Sequence, residues 1–235
     1  MKLSQVMSEL KKKGSAQTRK IYTSHGAPEN MFGCKVADMK VIAKKIKGDQ
    51  DLALELFETG NSDAMYLAGM VADGSQMNKT QLNKWANASK WYFVSEFAVP
   101  GVVCESKHAR DLAMKWIKSK KEHVAACGWA TYAGLVSITD NEDLDSDEIE
   151  VLLEYIQENI HEAKNRVRYT MNGFVIAVGG YIKSLNKRAK LVAKAVGKVE
   201  VNMGTTSCKV PFAPDYIKKM ESRGSLNKKR KTVKC

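Results

Sequence analysis

The chain has 235 residues, 44% of them apolar, and a net charge of +12 from 38 Lys and Arg against 26 Asp and Glu. That length and apolar content suit a folded core rather than disorder. No window approaches the roughly 18 apolar residues of a membrane span, and the opening MKLSQVMSELKKKG lacks the apolar core and cleavage site of a signal peptide.

Taken in chain order, the pattern is helical throughout. In 31–47, MFGCKVADMKVIAKKIK, a loop with an aromatic-glycine element leads into a helix whose apolar face is Val36, Met39, Ile42, Ala43 and Ile46. Lys40, Lys44 and Lys47 recur at the same spacing on another face. Gln50–Glu58 is a short helix stopped near Gly60. Ser62 caps the next, with Leu67, Ala68 and Val71 inward and Gly74 at its end. Asn78 opens a helix burying Leu82 and Trp85. Ser89 opens one carrying Trp91, Val94 and Phe97, which Pro100 and Gly101 then break. Ser106 begins a helix with Ala109, Leu112, Ala113, Trp116 and Ile117 along one stripe.

Residues 124–138 are apolar nearly all round, as in a helix packed between neighbours. An acidic connection over 140–147 follows, and Ser146 caps a helix burying Ile149, Leu152, Leu153 and Ile156. Residues 166–178 are again largely apolar, and Gly179-Gly180 reads as a turn at their end. Residues 185–196 form the last clear helix. No stretch alternates with period two, so helix is expected for well over half of the chain, with no sheet beyond a pair of short strands.

Beyond Val201 the composition turns polar and basic. Residues 211–220 are expected to pack back through Val210, Phe212, Tyr216 and Ile217. The domain expectation is a single domain over 1–223, followed by a basic, flexible tail over 224–235. Lys228, Lys229, Arg230 and Lys231 read as a DNA-contacting arm, or as an import signal in a eukaryotic host. The location follows the host: cytoplasmic and nucleoid-associated in a bacterium, nuclear in a eukaryote. Charge is polarised as well: residues 186–235 hold 14 Lys or Arg against three acidic residues, while 122–162 hold eleven acidic residues and no Lys or Arg. Such an excess favours a polyanion, since each neutralised phosphate releases counterions.

The five cysteines are odd in number with no pair at CxxC spacing, and the four histidines are scattered. Neither a disulfide framework nor a metal site is suggested. Nucleotide-binding, hydrolase, metalloprotease and deaminase motifs are missing.

The stretch 31–73, followed by Trp91, resembles the AlkD-like family of DNA alkylation-repair glycosylases, and the resemblance extends over 31–183. It implies an all-α fold, a curved solenoid of HEAT-like antiparallel helix pairs. It implies double-stranded DNA, possibly alkylated, as the partner of a monomer that needs no cofactor and no membrane. Lys40, Lys44, Lys47, Arg166, Arg168, Lys187, Arg188, Lys228, Lys229, Arg230 and Lys231 are the expected phosphate contacts.

An alkylpurine glycosylase must stabilise an oxocarbenium-like sugar and position water, for which a carboxylate is the natural device. The family places a Trp and an Asp one turn apart, as W-x-x-x-D, with flat aromatic faces against the charged lesion. Here Trp91 stands at the first position and Ser95 at the second, where no charge is possible. Glu96 lies about 100° further round a regular helix, so it substitutes only if that helix is rotated or irregular. The family's arginine after E-W-V-R falls on Ala125 and Ala126, its second Trp on Gly173, and a following arginine on Ile176. Tyr169 or Phe174 could supply an aromatic within a turn. Three functions are open: a DNA-binding protein with weak or absent base excision, an active glycosylase for N3- or N7-alkylpurines, and a protein-binding scaffold.

Overall fold

The computed structural model describes residues 1–234. It is all-helical, with 68% of residues in 13 α-helices and shorter turns, and no strand among the described residues. A lone antiparallel bridge joins Gly14 and Cys34. The helices fall into two compact units.

The first unit, Met1–His108 with Met203–Ser207 and Lys234, holds α1 (Leu3–Lys13), α2 (Ala16–Ser24), α3 (Val36–Lys45), α4 (Gln50–Glu58), α5 (Ser62–Val71), α6 (Lys79–Ala88) and α7 (Val99–Val103). The apolar face of α3 is inward as its spacing requires, with Met39, Ile42 and Ile46 buried. The helix ends at Lys45, so Lys47 lies past it and the cationic row shortens to Lys40 and Lys44. Asn61, not Ser62, caps α5, its side chain accepting from the N–H groups of Asp63 and Ala64. Helix α5 is buried nearly all round because α3, α4 and α7 pack against it. Asn78 opens α6 with a capping box closed by Gln81.

The expected break at Pro100 and Gly101 does not occur. Both lie inside α7, with Pro100 in its first turn, where the missing N–H is tolerated. The chain reaches α7 through a π-helical turn, Val94–Ala98, in which the Val99 N–H bonds the Val94 carbonyl five residues back. In a continuous α-helix, Pro100 would press its ring on the Glu96 carbonyl while offering it no donor. The wide turn relieves that conflict. Phe97 is turned to solvent.

The second unit, Ala109–Asn202 with Cys208–Val233, holds α8 (Ala109–Ile117), α9 (Glu122–Ile138), α10 (Ser146–Asn159), α11 (Asn165–Tyr181), α12 (Asn186–Val196) and α13 (Ala213–Ser222). Helix α9 packs on α8 and α11, α11 also packs on α12 and α13, and α10 packs on α12. Helices therefore meet both their chain neighbour and the one after it, as stacked repeats do. Asp145, rather than Ser146, caps α10. Phe174 is fully buried, with Trp129 and Tyr132 meeting it edge-on at 5.4 and 5.5 Å.

Gly179 and Gly180 do not form a turn; they are buried in the last turn of α11. A methyl on Gly179 would stand 2.6 Å from Cδ1 of Ile217, and one on Gly180 would stand 2.2 Å from Cε of Met220. The sequence pattern misplaced them because a glycine pair ends helices more often than it admits a neighbour. Ile217 is β-branched and enclosed, whereas Met220 is flexible. Gly179→Ala should therefore cost roughly 1–2 kcal/mol, overpacking outweighing the gain in helix propensity. Gly180→Ala should stay within about 1 kcal/mol of the parent. Urea midpoints of the two variants check the contrast, and equal midpoints would refute it.

Candidate nucleic-acid interface

The loop before α3 is set by one carboxylate. Asp63, in the first turn of α5, accepts from three successive backbone N–H groups, those of Phe32 (2.6 Å), Gly33 (3.0 Å) and Cys34 (3.0 Å). Burial pushes its pKa up, against the lowering effect of those three donors. Gly33 adopts φ +78°. A side chain there would also meet the backbone of Arg19 at 2.6 Å, so only glycine fits. The Tyr22 hydroxyl donates to the Cys34 carbonyl at 3.0 Å. Burial, with Asp63 nearby, pushes the Cys34 thiol up to about 12, so it is no nucleophile at neutral pH. Sequence reading missed Asp63; its signal was an acidic residue in the first turn of a helix that has almost no other polar side chain.

Trp91 is 3% exposed. Its indole N–H donates to the His25 carbonyl at 3.1 Å, and one face stacks on Phe93 with centroids 4.4 Å apart. Tyr22 tilts against it at 5.1 Å. The Tyr92 hydroxyl meets Nδ1 of His25 at 2.7 Å, which fixes the end of α2 against this cluster. Aromatic pairs of this kind contribute about 0.5–1.5 kcal/mol each beyond area burial. Ser95 and Glu96 both lie in the wide turn and are 1% and 7% exposed. A Cβ on Gly69 of α5 would stand 2.7 Å from the Ala98 Cβ, so the wide turn is held tightly from behind.

The expected phosphate-binding residues divide by exposure. Lys40, Lys44, Lys47, Lys187, Lys228, Arg230 and Lys231 are exposed, and Arg166, Arg168, Arg188 and Lys229 are half-buried. Neighbouring cations are engaged elsewhere: Lys45 pairs with Glu9 at 2.9 Å and Lys13 with Asp38 at 3.4 Å. On α11, the Arg166 guanidinium lies over the Tyr169 ring at 4.4 Å, while its backbone N–H is taken by Glu122 at 2.8 Å. Arg168 keeps a buried Nε without a hydrogen-bond partner. The four positions where the resemblance expects cleft side chains, Ala125, Ala126, Gly173 and Ile176, offer no charge. Phe174 belongs to the core, which leaves Tyr169 of the two candidate aromatics.

The last residues bond to the helix ends. The Asn227 N–H reaches the Gly180 carbonyl at 2.9 Å, and the Arg230 N–H reaches that of Ser137 at 2.8 Å. The Lys229 ammonium lies 2.8 Å from the Val136 carbonyl. There, burial lowers its pKa against the opposing pull of Asp140 and Glu142. A cation on the last carbonyls of α9 is favoured by the helix dipole. Lys234 reaches the Ala72 carbonyl and the Glu105 carboxylate in the first unit.

An all-helical fold, helices stacked on chain neighbours and next neighbours, and unpaired surface cations define a helical-repeat protein suited to a polyanion. The model of a family described as DNA alkylation repair enzyme matches residues 6–209. The chain belongs to that family. The proteins Lin0241 of Listeria innocua serovar 6a and Lmo0209 of Listeria monocytogenes serovar 1/2a are 35% and 34% identical to it over 225 residues, covering 93% of this chain and 97% of each relative. A solved structure superposes over the whole of both chains with a TM-score of 0.91 and 38% identity. It is described as "a new family of proteins related to the HEAT-like repeat DNA glycosylases with affinity for branched DNA structures". The HEAT-like helical fold expected from the resemblance is the fold of this chain.

Proposed function

We propose that this protein binds DNA, branched structures included, and has weak or absent base-excision activity. The observation that carries the reading is position 95. Where the resemblance calls for a carboxylate stands a serine, 1% exposed, beside a tryptophan whose face is already covered by Phe93. Affinity for branched DNA is the described property of the structural neighbour, and the identity of 38% over both full chains supports extending it here. The unpaired exposed cations Lys40, Lys44, Lys187, Lys228 and Lys231 supply the charge. A second reading, an active alkylpurine glycosylase using Glu96, is favoured by the π-helical turn, which is the irregularity that such a substitution requires.

Binding titrations against a linear duplex and a four-way junction, at several salt concentrations, test the first reading. The log–log slope should be steep, near −0.9 per phosphate contact. Lys40→Glu with Lys44→Glu should flatten it by about two contacts, and Lys228→Glu with Lys231→Glu by up to about two more. Point changes are preferable to removing the tail, since Lys229 and the Arg230 N–H hold the carbonyls that end α9. Affinity that is flat with salt, or equally weak for both DNAs, would turn the assignment toward a protein-binding scaffold.

A further inference from the structure

Helix α13 lies past residue 209, where the match to the family's model ends. Its buried side is fully used: Ala213 and Ile217 are enclosed, Ile217 fills the space left by Gly179, and Glu221 pairs with Lys190 at 3.0 Å. A flank about 100° round from it is arranged differently from an ordinary solvated face. Phe212, at the cap, and Tyr216 are 43% and 46% exposed. Lys219 and Arg223 follow, both exposed. Positions 212, 216, 219 and 223 are spaced by four, three and four residues, so they run along one line of the helix. The Lys219 ammonium lies 5.8 Å from the Tyr216 ring centroid, over its face. Exposed aromatics scattered singly need no explanation, but two rings aligned with two cations meet the needs of one ligand.

We propose that this strip is a stacking site for unpaired nucleotides of DNA, Phe212 and Tyr216 taking bases and Lys219 and Arg223 the backbone phosphates. The inference rests on the DNA-binding reading and deepens it, since branched DNAs with a fork, flap or gap carry unpaired nucleotides that a continuous duplex does not. Four residues of helix rise about 6 Å, a step that a single strand stretched over successive rings can follow. Base-on-aromatic stacking tolerates any sequence because every base has a flat face, and the flanking cations supply the salt-dependent part. Charge complementarity selects the occupant: residues 186–235 hold 14 basic residues against three acidic ones, of which Glu200 and Glu221 are already paired and Asp215 remains.

The test uses the full chain and three probes: a linear duplex, the same duplex with a three-nucleotide gap, and a single-stranded oligothymidylate. Phe212→Ala with Tyr216→Ala should weaken binding to the gapped duplex and the single strand at least about tenfold. Linear duplex affinity should change less than twofold, and thermal stability should be unchanged because both rings are exposed. Tyr216→Phe should restore most of the affinity, since the ring and not the hydroxyl is used. 2-Aminopurine in the gap should be quenched by the parent and not by the double variant. A double variant that binds all three probes as the parent does would overturn the inference and leave the strip to a protein partner. If the parent binds none of the probes, the DNA-binding reading itself fails, which is a separable result.

Discussion

Asp63→Ala should lower the melting temperature by about 10–20 °C or prevent folding at 37 °C. The carboxylate serves three N–H donors in succession and sits in the first turn of α5, where a helix dipole favours it. Alanine leaves those donors without an acceptor, at roughly 1–3 kcal/mol for each that water cannot reach. Phe32 is half-buried while Gly33 and Cys34 are buried, so the sum is about 2–6 kcal/mol, a large share of the 5–15 kcal/mol typical of a folded domain. For a chain of this size, each kcal/mol moves the midpoint by about 2–4 °C. Asp63→Asn should fall between, because its one carbonyl oxygen cannot replace both carboxylate oxygens and its amide faces further donors. Differential scanning calorimetry separates the three proteins. An alanine variant melting within about 2 °C of the parent would mean that the loop finds other acceptors, and the clamp would be discounted.

The second large effect concerns base release. On the proposed reading, the protein should excise N7-methylguanine far more slowly than a glycosylase with its carboxylate in place. Loss of one well-placed group opposing transition-state charge commonly costs about 2.7–4 kcal/mol, or a factor of about 10²–10³. Ser95→Asp should raise the rate if the surroundings still hold DNA, while Glu96→Gln should change little. The assay is release of free base from methylated DNA, in single turnover so that binding does not mask chemistry. Ready excision by the parent, abolished by Glu96→Gln, would establish Glu96 as the acid and remove the preferred reading. If Ser95→Asp gains nothing, the uncharged positions at 125, 126, 173 and 176 outweigh the missing acid, and a purely binding role is favoured.

Helix periodicity was legible wherever an amphipathic stripe met a capping residue, as at Asn78 and along Ile149, Leu152, Leu153 and Ile156. Caps slipped by one residue at Ser62 and Ser146, since in each case a polar side chain one position earlier made the better acceptor. Proline and glycine misled at 100 and 179, because their meaning depends on what packs beside them. Pro100 sits in the first turn of a new helix, and Gly179 makes room for Ile217. Of the candidate site, Lys40 and Lys44 could be picked out from spacing, and the C-terminal lysines from the placement of charge. The burial of Trp91 and the inward turn of Lys229 could not, since both depend on partners far away in the chain: His25 for one and Val136 for the other. The α13 strip was missed for a related reason: its aromatics read as core until the neighbouring side, with Ala213 and Ile217, filled that role.

Counted as chain length, the wide turn at Val94–Ala98 is a surplus of one residue, since an i to i−5 bond encloses one more than an α-helical bond. Removing Ser95 would delete the surplus and bring Glu96 to the fourth position after Trp91, the spacing of W-x-x-x-D with a longer acid. Pro100 stands against that edit, because it would again press on the Glu96 carbonyl without a hydrogen to offer. The wide turn thus accommodates the proline. Closing the turn therefore takes two coordinated changes, deletion of Ser95 and replacement of Pro100, since deletion alone leaves the proline ring against that carbonyl.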